Sequence, residues 1–127
     1  MIHSIFITAQ SSNEHIRLQD VFRRAGCQIT RIFKDSQTQE ALTLLRSGQV
    51  ELVILDGDGF EFQGLAFLET LAVDPALKQI PALTIGSGGD REQIQRFIAA
   101  GAGGYMKKPF TPEQITHLLP ALMDAPS

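Results

Sequence analysis

Five short apolar runs alternate along the chain with segments whose apolar residues recur at helical spacing. Four of the runs are rich in β-branched or aromatic residues, which is typical of strands, and the fifth is weaker in composition but continues the alternation. The runs are Ile5–Thr8, Ile29–Phe33, Leu52–Leu55, Ala82–Ile85 and Gly104–Lys107. Strands joined by helices run parallel and are covered by helices on both faces. The sequence therefore predicts an α/β fold with a doubly wound, five-stranded parallel sheet.

The segments between the runs carry signals for the starts and ends of helices. Apolar residues at i, i+3, i+4 and i+7 predict helices through Leu18–Ala25, Ile94–Gly101 and Ile115–Leu122. Four pairs have the spacing of a capping box, namely Ser11 with Glu14, Ser36 with Gln39, Asp90 with Gln93 and Thr111 with Gln114. Pro112 stands at a first helical position, and helix ends are expected at Gly26, Gly48 and Gly101.

The length and charge of the chain restrict its organisation and partners. With the last helix ending near Met123, we expect one domain over residues 1–127, a core of about 4–123 and no output domain. The net charge of −3 argues against nucleic-acid binding. Cys27 is the only cysteine, so no internal disulfide is possible, and Met1–Gln10 contains neither a leader nor a membrane span. We therefore expect a cytoplasmic protein without nucleic-acid or membrane partners.

Two motifs lie at the expected binding edge of the sheet. In an open parallel sheet, ligands bind beyond the carboxyl ends of the strands, where the direction of winding reverses. The loops after strands one, three, four and five therefore form the candidate site. Asp56 directly follows the third strand, and Gly64 stands eight residues later in a helical segment. The second motif, Gly101–Phe110, contains the fifth strand and ends in Lys108, Pro109 and Phe110.

These motifs resemble the phosphoacceptor region and the Lys-Pro-Phe ending of response-regulator receiver domains. The Ile80-Pro81 entry to the fourth strand also fits, so the resemblance spans residues 4–123. It implies a flavodoxin-like (βα)5 fold with strand order 2-1-3-4-5. It also implies that Asp56 is the phosphoacceptor, that Lys108 contacts the phosphoryl group, and that Mg²⁺ is the cofactor.

Phosphoryl transfer explains why the family needs these residues. An aspartate is a weak nucleophile towards phosphorus, so transfer depends on in-line positioning and on positive charge near the phosphoryl oxygens. The resemblance implies that Mg²⁺ and Lys108 supply this charge, and that the bond before Pro109 is often cis. Two plainer interpretations stay open: Asp56 starts a turn, or Lys108 is an ordinary exposed lysine. A calcium loop is excluded, because its positions five, six and twelve carry Phe60, Glu61 and Phe67.

The chain departs from the family at the metal site. The acidic pair that holds Mg²⁺ in receivers falls on Ala9 and Gln10. Two unit charges about 4 Å apart interact by about 4 kcal/mol at an effective dielectric of about 20. The loss of these carboxylates therefore predicts weak Mg²⁺ binding at Asp56. Asp58 either replaces one of them as a ligand or is a solvated turn residue.

The chain also departs from the family in the residues that couple phosphorylation to the surface. The hydroxyl residue at the end of strand four falls on Gly86, and Ser87 is either its substitute or part of a flexible turn. Tyr105 matches the aromatic switch residue, although a static strand tyrosine is an equal alternative. Phe60 and Phe62 either form a partner-binding patch or fold over the core.

Three functions follow from these observations. The leading hypothesis is a stand-alone receiver that accepts a phosphoryl group on Asp56 from a histidine kinase or phosphotransfer protein. It then signals to a downstream protein through helix four, strand five and helix five. A homodimer is possible under this hypothesis, and we expect no catalysis beyond self-phosphorylation and dephosphorylation. The second is a pseudo-receiver that binds partners independently of phosphorylation. The third is a flavodoxin-like cofactor binder in which Gly86–Gly89 cradles a phosphate, although Asp90 would repel it.

Overall fold

A computed structural model describes residues 2–9, 14–58, 61–88 and 90–123, except for the side chains of residues 14, 15 and 61–63. Within these ranges the chain forms five strands, five α-helices and one 3₁₀ helix, Asp35–Gln37. The strands are β1 (Ile2–Thr8), β2 (Cys27–Lys34), β3 (Leu52–Asp56), β4 (Ala82–Gly86) and β5 (Gly104–Lys107). The helices are α1 (Glu14–Arg24), α2 (Thr38–Leu45), α3 (Glu61–Val73), α4 (Arg91–Ala99) and α5 (Pro112–Met123).

The strands form a parallel sheet in the order β2-β1-β3-β4-β5, which confirms the predicted flavodoxin-like topology. β3 and β4 are buried along their whole length, and β1 is buried from Ser4 to Thr8. A strand that is buried on both faces has a continuous apolar sequence, as the runs of these three strands do. At the edge of the sheet, β5 buries only Met106 fully, in keeping with its weaker composition.

The sheet separates two hydrophobic clusters because successive side chains of a strand point to opposite faces. On one face, Ile7 and Leu55 belong to a cluster with Phe67 of α3 and Phe97 of α4. On the other face lies a second cluster, with Phe6 and Ile54 from the strands, Phe22 from α1 and Ile115 and Leu119 from α5. The rigid central strands therefore hold their carboxyl ends, and the residues that follow them, in fixed positions.

The helix signals were confirmed at some ends and wrong at one. Thr111 and Gln114 form both hydrogen bonds of the capping box, and the Asp90 side chain accepts a hydrogen bond from the N–H of Glu92. The predicted cap at Ser36 is wrong, because a 3₁₀ helix occupies 35–37 and α2 begins only at Thr38. The predicted pair of Ser11 with Glu14 lies outside the described residues.

The predicted helix ends at Gly26, Gly48 and Gly101 are confirmed by their positive φ angles of 94°, 79° and 121°. Four strands are longer than predicted: β1 begins at Ile2, β2 extends from Cys27 to Lys34, and β3 and β4 each continue for one more residue, to Asp56 and Gly86. Among the described helices, none is long and apolar enough to cross a membrane.

Candidate functional site

Asp56 lies at the centre of the carboxyl edge of the sheet. It is the last residue of β3, and its side chain is fully buried. Thr8, the last residue of β1, donates a long hydrogen bond of 3.4 Å from its hydroxyl to Asp56 Oδ2. The backbone N–H of Asp58 donates to Asp56 Oδ1 at 3.0 Å. The parallel register of β1 and β3 thus brings polar groups from both strands to one carboxylate.

Lys108 reaches this carboxylate from the loop after β5. Its Nζ lies 3.1 Å from each oxygen of Asp56 and 3.1 Å from Oδ2 of Asp58. The Lys108 side chain is only 11% exposed, which argues against an ordinary solvated lysine. Its backbone N–H donates to the carbonyl of Gly86 at 2.8 Å, and the bond to Pro109 is cis. One ammonium group therefore bridges two carboxylates that are two residues apart, one at the end of β3 and one in the loop that follows it.

The two carboxylates are held in different electrostatic environments. Burial raises the pKa of Asp56, although the N–H of Asp58 and the Lys108 ammonium act in the opposite direction. Burial also acts to raise the pKa of Asp58, but hydrogen bonds from Ser87 and Lys108 outweigh it and lower that pKa. Asp58 is therefore the more strongly stabilised anion of the pair, a difference that the sequence did not indicate.

Asp58 binds Ser87 as well as Lys108. The backbone N–H of Ser87 donates to Asp58 Oδ1 at 3.0 Å, and its hydroxyl donates to Oδ2 at 2.8 Å. Whether Ser87 substitutes for the switch hydroxyl or belongs to a flexible turn stays a prediction; in the unmodified protein both its N–H and its hydroxyl bind Asp58. These contacts join residues that are 29 positions apart, and no local motif marks them in the sequence.

Gly86 makes room for Tyr105. The Tyr105 hydroxyl accepts a hydrogen bond of 3.0 Å from the backbone N–H of Gly88. A β carbon on Gly86 would overlap the Tyr105 hydroxyl oxygen and would come within 3.1 Å of Asp58 Oδ1. Half-burial of the ring raises the pKa of Tyr105. The tyrosine is thus turned towards the loop between β4 and α4, into the space that a larger residue at position 86 would occupy.

The residues present do not fit a tightly held Mg²⁺ ion. Ala9 offers no side-chain ligand, and Gln10 lies outside the described residues. The carboxylates of Asp56 and Asp58 already accept hydrogen bonds on all their oxygens. No cluster of three or more His, Cys, Asp or Glu side chains that could bind a metal occurs in the described part of the chain. Mg²⁺ prefers several oxygen ligands in octahedral geometry, so these residues are consistent with weak binding, which stays a prediction.

The glycine-rich turn after β4 is not arranged as a phosphate cradle. Its described N–H groups at Ser87 and Gly88 are already bonded to Asp58 and Tyr105. Gly89 lies outside the described residues, as do Phe60 and the side chain of Phe62. The described geometry therefore counts against a cofactor binder, and the predicted aromatic patch cannot be placed.

Structural comparison defines the class of fold. The receiver domain of a sensor histidine kinase from Pseudomonas aeruginosa, solved with magnesium in its active-site cleft, gives a TM-score of 0.76 with 12% identity and 98% coverage of each chain. A putative response regulator from Chloroflexus aurantiacus gives a TM-score of 0.75 with 22% identity, covering 97% of this chain and 98% of that one. The chain therefore has the fold of a receiver domain.

Sequence comparison gives the family. The profile of the response regulator receiver domain matches residues 5–120. The chemotaxis protein CheY-3 of Vibrio cholerae is 34% identical over 94 residues, which cover 74% of this chain and 71% of that protein. The chemotaxis protein CheY of Pseudomonas aeruginosa is 31% identical over 94 residues, covering 74% of each. The chain belongs to the response-regulator receiver family of two-component signalling, as the motifs around Asp56 and Lys108 predicted.

Proposed function

We propose that this chain is a stand-alone cytoplasmic receiver that accepts a phosphoryl group on Asp56 from a histidine kinase or phosphotransfer protein. One observation carries the proposal, which is the buried carboxylate of Asp56 with the Lys108 ammonium 3.1 Å from both of its oxygens. A buried aspartate paired with a lysine at the carboxyl edge of a parallel sheet is the arrangement that this chemistry requires. The chain then acts as a signalling module through its surface, not as a metabolic enzyme.

The proposed reaction uses Asp56 as nucleophile. One carboxylate oxygen of Asp56 attacks the phosphorus of a phosphohistidine, a P–O bond forms, the P–N bond breaks, and the freed imidazole keeps the bond's electron pair. Lys108, whose Nζ lies 3.1 Å from both oxygens of Asp56, would then pair with a phosphoryl oxygen and neutralise part of its charge. The added charge then biases the loop after β4 and the surface formed by α4, β5 and α5 towards a downstream partner.

A second candidate function is a pseudo-receiver that binds its partner independently of phosphorylation. It is favoured by the hydrogen bonds from Ser87 and Lys108 to Asp58, which already connect the loop after β3 to the loops after β4 and β5. It is also favoured by Ala9, which replaces a family carboxylate with a methyl group. Phosphorylation and partner binding have to be measured separately to distinguish the two functions.

The test is incubation of the protein with acetyl phosphate at increasing Mg²⁺ concentration, followed by intact mass spectrometry. We expect a mass gain of one phosphoryl group in the wild type, with a half-saturating Mg²⁺ concentration in the millimolar range or above. Asp56→Asn should abolish the gain. Asp20→Asn is the matched control, because Asp20 lies on the exposed surface of α1. A wild type that gains no mass at any Mg²⁺ concentration would favour the pseudo-receiver.

A further inference from the structure

We propose that Asp58 is a positioning residue that holds the loop between β4 and α4 in place in the unmodified protein. In this arrangement, here named the Asp58 anchor, the Asp58 carboxylate binds Ser87 and Lys108 and serves as an internal anion. The proposal goes beyond phosphorylation of Asp56, because it concerns the protein before any phosphoryl group is present.

Three donors bind the carboxylate of Asp58. The Ser87 N–H, the Ser87 hydroxyl and the Lys108 ammonium lie 3.0, 2.8 and 3.1 Å from the oxygens of Asp58. Hydrogen bonds that involve an ionised group are about twice as strong as neutral ones. A backbone N–H, a hydroxyl and an ammonium together form a binding site for an oxyanion, and here a side chain of the protein occupies it.

The next residue of the loop, Gly88, is bound by a side chain from a different element. Gly88 donates its N–H to the Tyr105 hydroxyl at 3.0 Å, and Gly86 lacks the β carbon that would displace this hydroxyl. Two consecutive N–H groups, of Ser87 and Gly88, are therefore bound by side chains from two different elements. The loop leads within a few residues into α4, which begins at Arg91. The Asp58 anchor and Tyr105 therefore hold two consecutive residues of this loop, Ser87 and Gly88.

Asp58 shares the ammonium group of Lys108 with Asp56. The Lys108 ammonium contacts Asp56 and Asp58 at equal distances of 3.1 Å. Asp58 therefore already binds the ammonium group that a phosphoryl group on Asp56 would need as its counter-charge. Such a group would compete with Asp58 for Lys108 and would repel its carboxylate. We therefore expect the Asp58 anchor to hold Ser87 in the unmodified protein, and a phosphoryl group on Asp56 to weaken this hold.

The proposal is tested by amide hydrogen exchange of the full chain, measured by NMR without any phosphoryl donor. We expect the Ser87 amide to exchange at least tenfold faster in Asp58→Ala than in the wild type, with a smaller increase at Gly88. The Gly57 amide, which donates to the carbonyl of Ile85 at 2.7 Å, is the internal reference and should not change. Asp20→Asn should leave all three rates as in the wild type.

Substitutions at Ser87 separate positioning from general stability. Ser87→Ala removes the hydroxyl bond and should raise Ser87 exchange, whereas Ser87→Thr keeps the hydroxyl and should restore protection. Asp58→Asn keeps an acceptor but loses the charge, so it should give an intermediate rate and serves if Asp58→Ala does not fold. Wild-type exchange rates at Ser87 in Asp58→Asn and Ser87→Ala would overturn the proposal. Because no phosphoryl donor is used, this result is independent of whether Asp56 is phosphorylated.

Discussion

The contact between Gly86 and Tyr105 gives a prediction that can be worked through quantitatively. Replacing Gly86 by alanine places a β carbon where the Tyr105 hydroxyl oxygen lies, while the ring carbon that bears this hydroxyl is 3.3 Å away. The hydroxyl therefore has to move, and it loses the hydrogen bond from Gly88. In Tyr105→Phe the overlapping atom is absent, so the same alanine should fit with small adjustments of the ring and of the Asp58 carboxylate, whose Oδ1 would lie 3.1 Å from the β carbon.

The expected magnitude follows from these contacts. Loss of the hydrogen bond costs about 1 kcal/mol, and overpacking costs roughly 1–3 kcal/mol. The lower entropy of the unfolded chain that alanine brings offsets about 0.5–1 kcal/mol. Gly86→Ala should therefore lower the free energy of unfolding by about 2 kcal/mol in the wild type. In the Tyr105→Phe background the loss should be below about 1 kcal/mol, which leaves a coupling energy of at least about 1 kcal/mol.

The assay is urea unfolding of the wild type, the two single variants and the double variant, followed by far-UV circular dichroism. Circular dichroism is needed because Tyr105 is the single tyrosine of a chain without tryptophan, and its fluorescence is lost in half of the proteins. Additive effects of the two substitutions would refute the reasoning, because they would mean that Tyr105 does not occupy the space beside Gly86.

Three further predictions rest on single residues. Burial raises the pKa of Asp56, so its charge destabilises the folded state at pH 7. Asp56→Asn should therefore raise the free energy of unfolding by about 1 kcal/mol, as measured by thermal or urea unfolding. A less stable variant would contradict this prediction. Tyr105 should titrate above its ordinary pKa of about 10, which can be followed by ultraviolet absorbance. Because the folded state holds the proton more tightly, the free energy of unfolding should fall as the pH rises above about 10. A midpoint at or below 10 would disagree with a half-buried hydroxyl. Thr84 has a buried hydroxyl with no hydrogen-bond partner among the described residues. Thr84→Val should therefore be neutral or stabilising by up to about 1 kcal/mol in urea unfolding. A loss of more than about 1 kcal/mol would reveal a partner for the hydroxyl.

The sequence predicted the parts of this molecule that depend on local patterns. The motifs around Asp56 and Lys108 resemble those of receivers, and the order of the strands predicted that both residues would lie at the carboxyl edge of the sheet, Asp56 at the end of β3 and Lys108 after β5. The fold was predictable for the same reason, since a strand buried on both faces, such as β3, has an unbroken apolar sequence.

The remaining contacts depend on how distant segments approach each other. The bonds of Asp58 to Ser87 and of Tyr105 to Gly88 join residues 29 and 17 positions apart, and their geometry follows from loop paths that no motif encodes. The cap predicted at Ser36 failed because the Gln37 side chain accepts a hydrogen bond from the N–H of Lys34, where the chain forms a 3₁₀ helix before α2 begins. Local spacing cannot distinguish these two helix starts.

The central claim is that Asp56, and not the neighbouring Asp58, accepts the phosphoryl group. Borohydride reduces an aspartyl phosphate to homoserine, so peptide mass spectrometry after treatment with acetyl phosphate and Mg²⁺ identifies the acceptor directly. We predict homoserine at position 56 in the wild type, and none at position 58 in either the wild type or Asp56→Asn. Homoserine at position 58, or at no position despite a phosphoryl mass gain of the intact protein, would contradict the assignment.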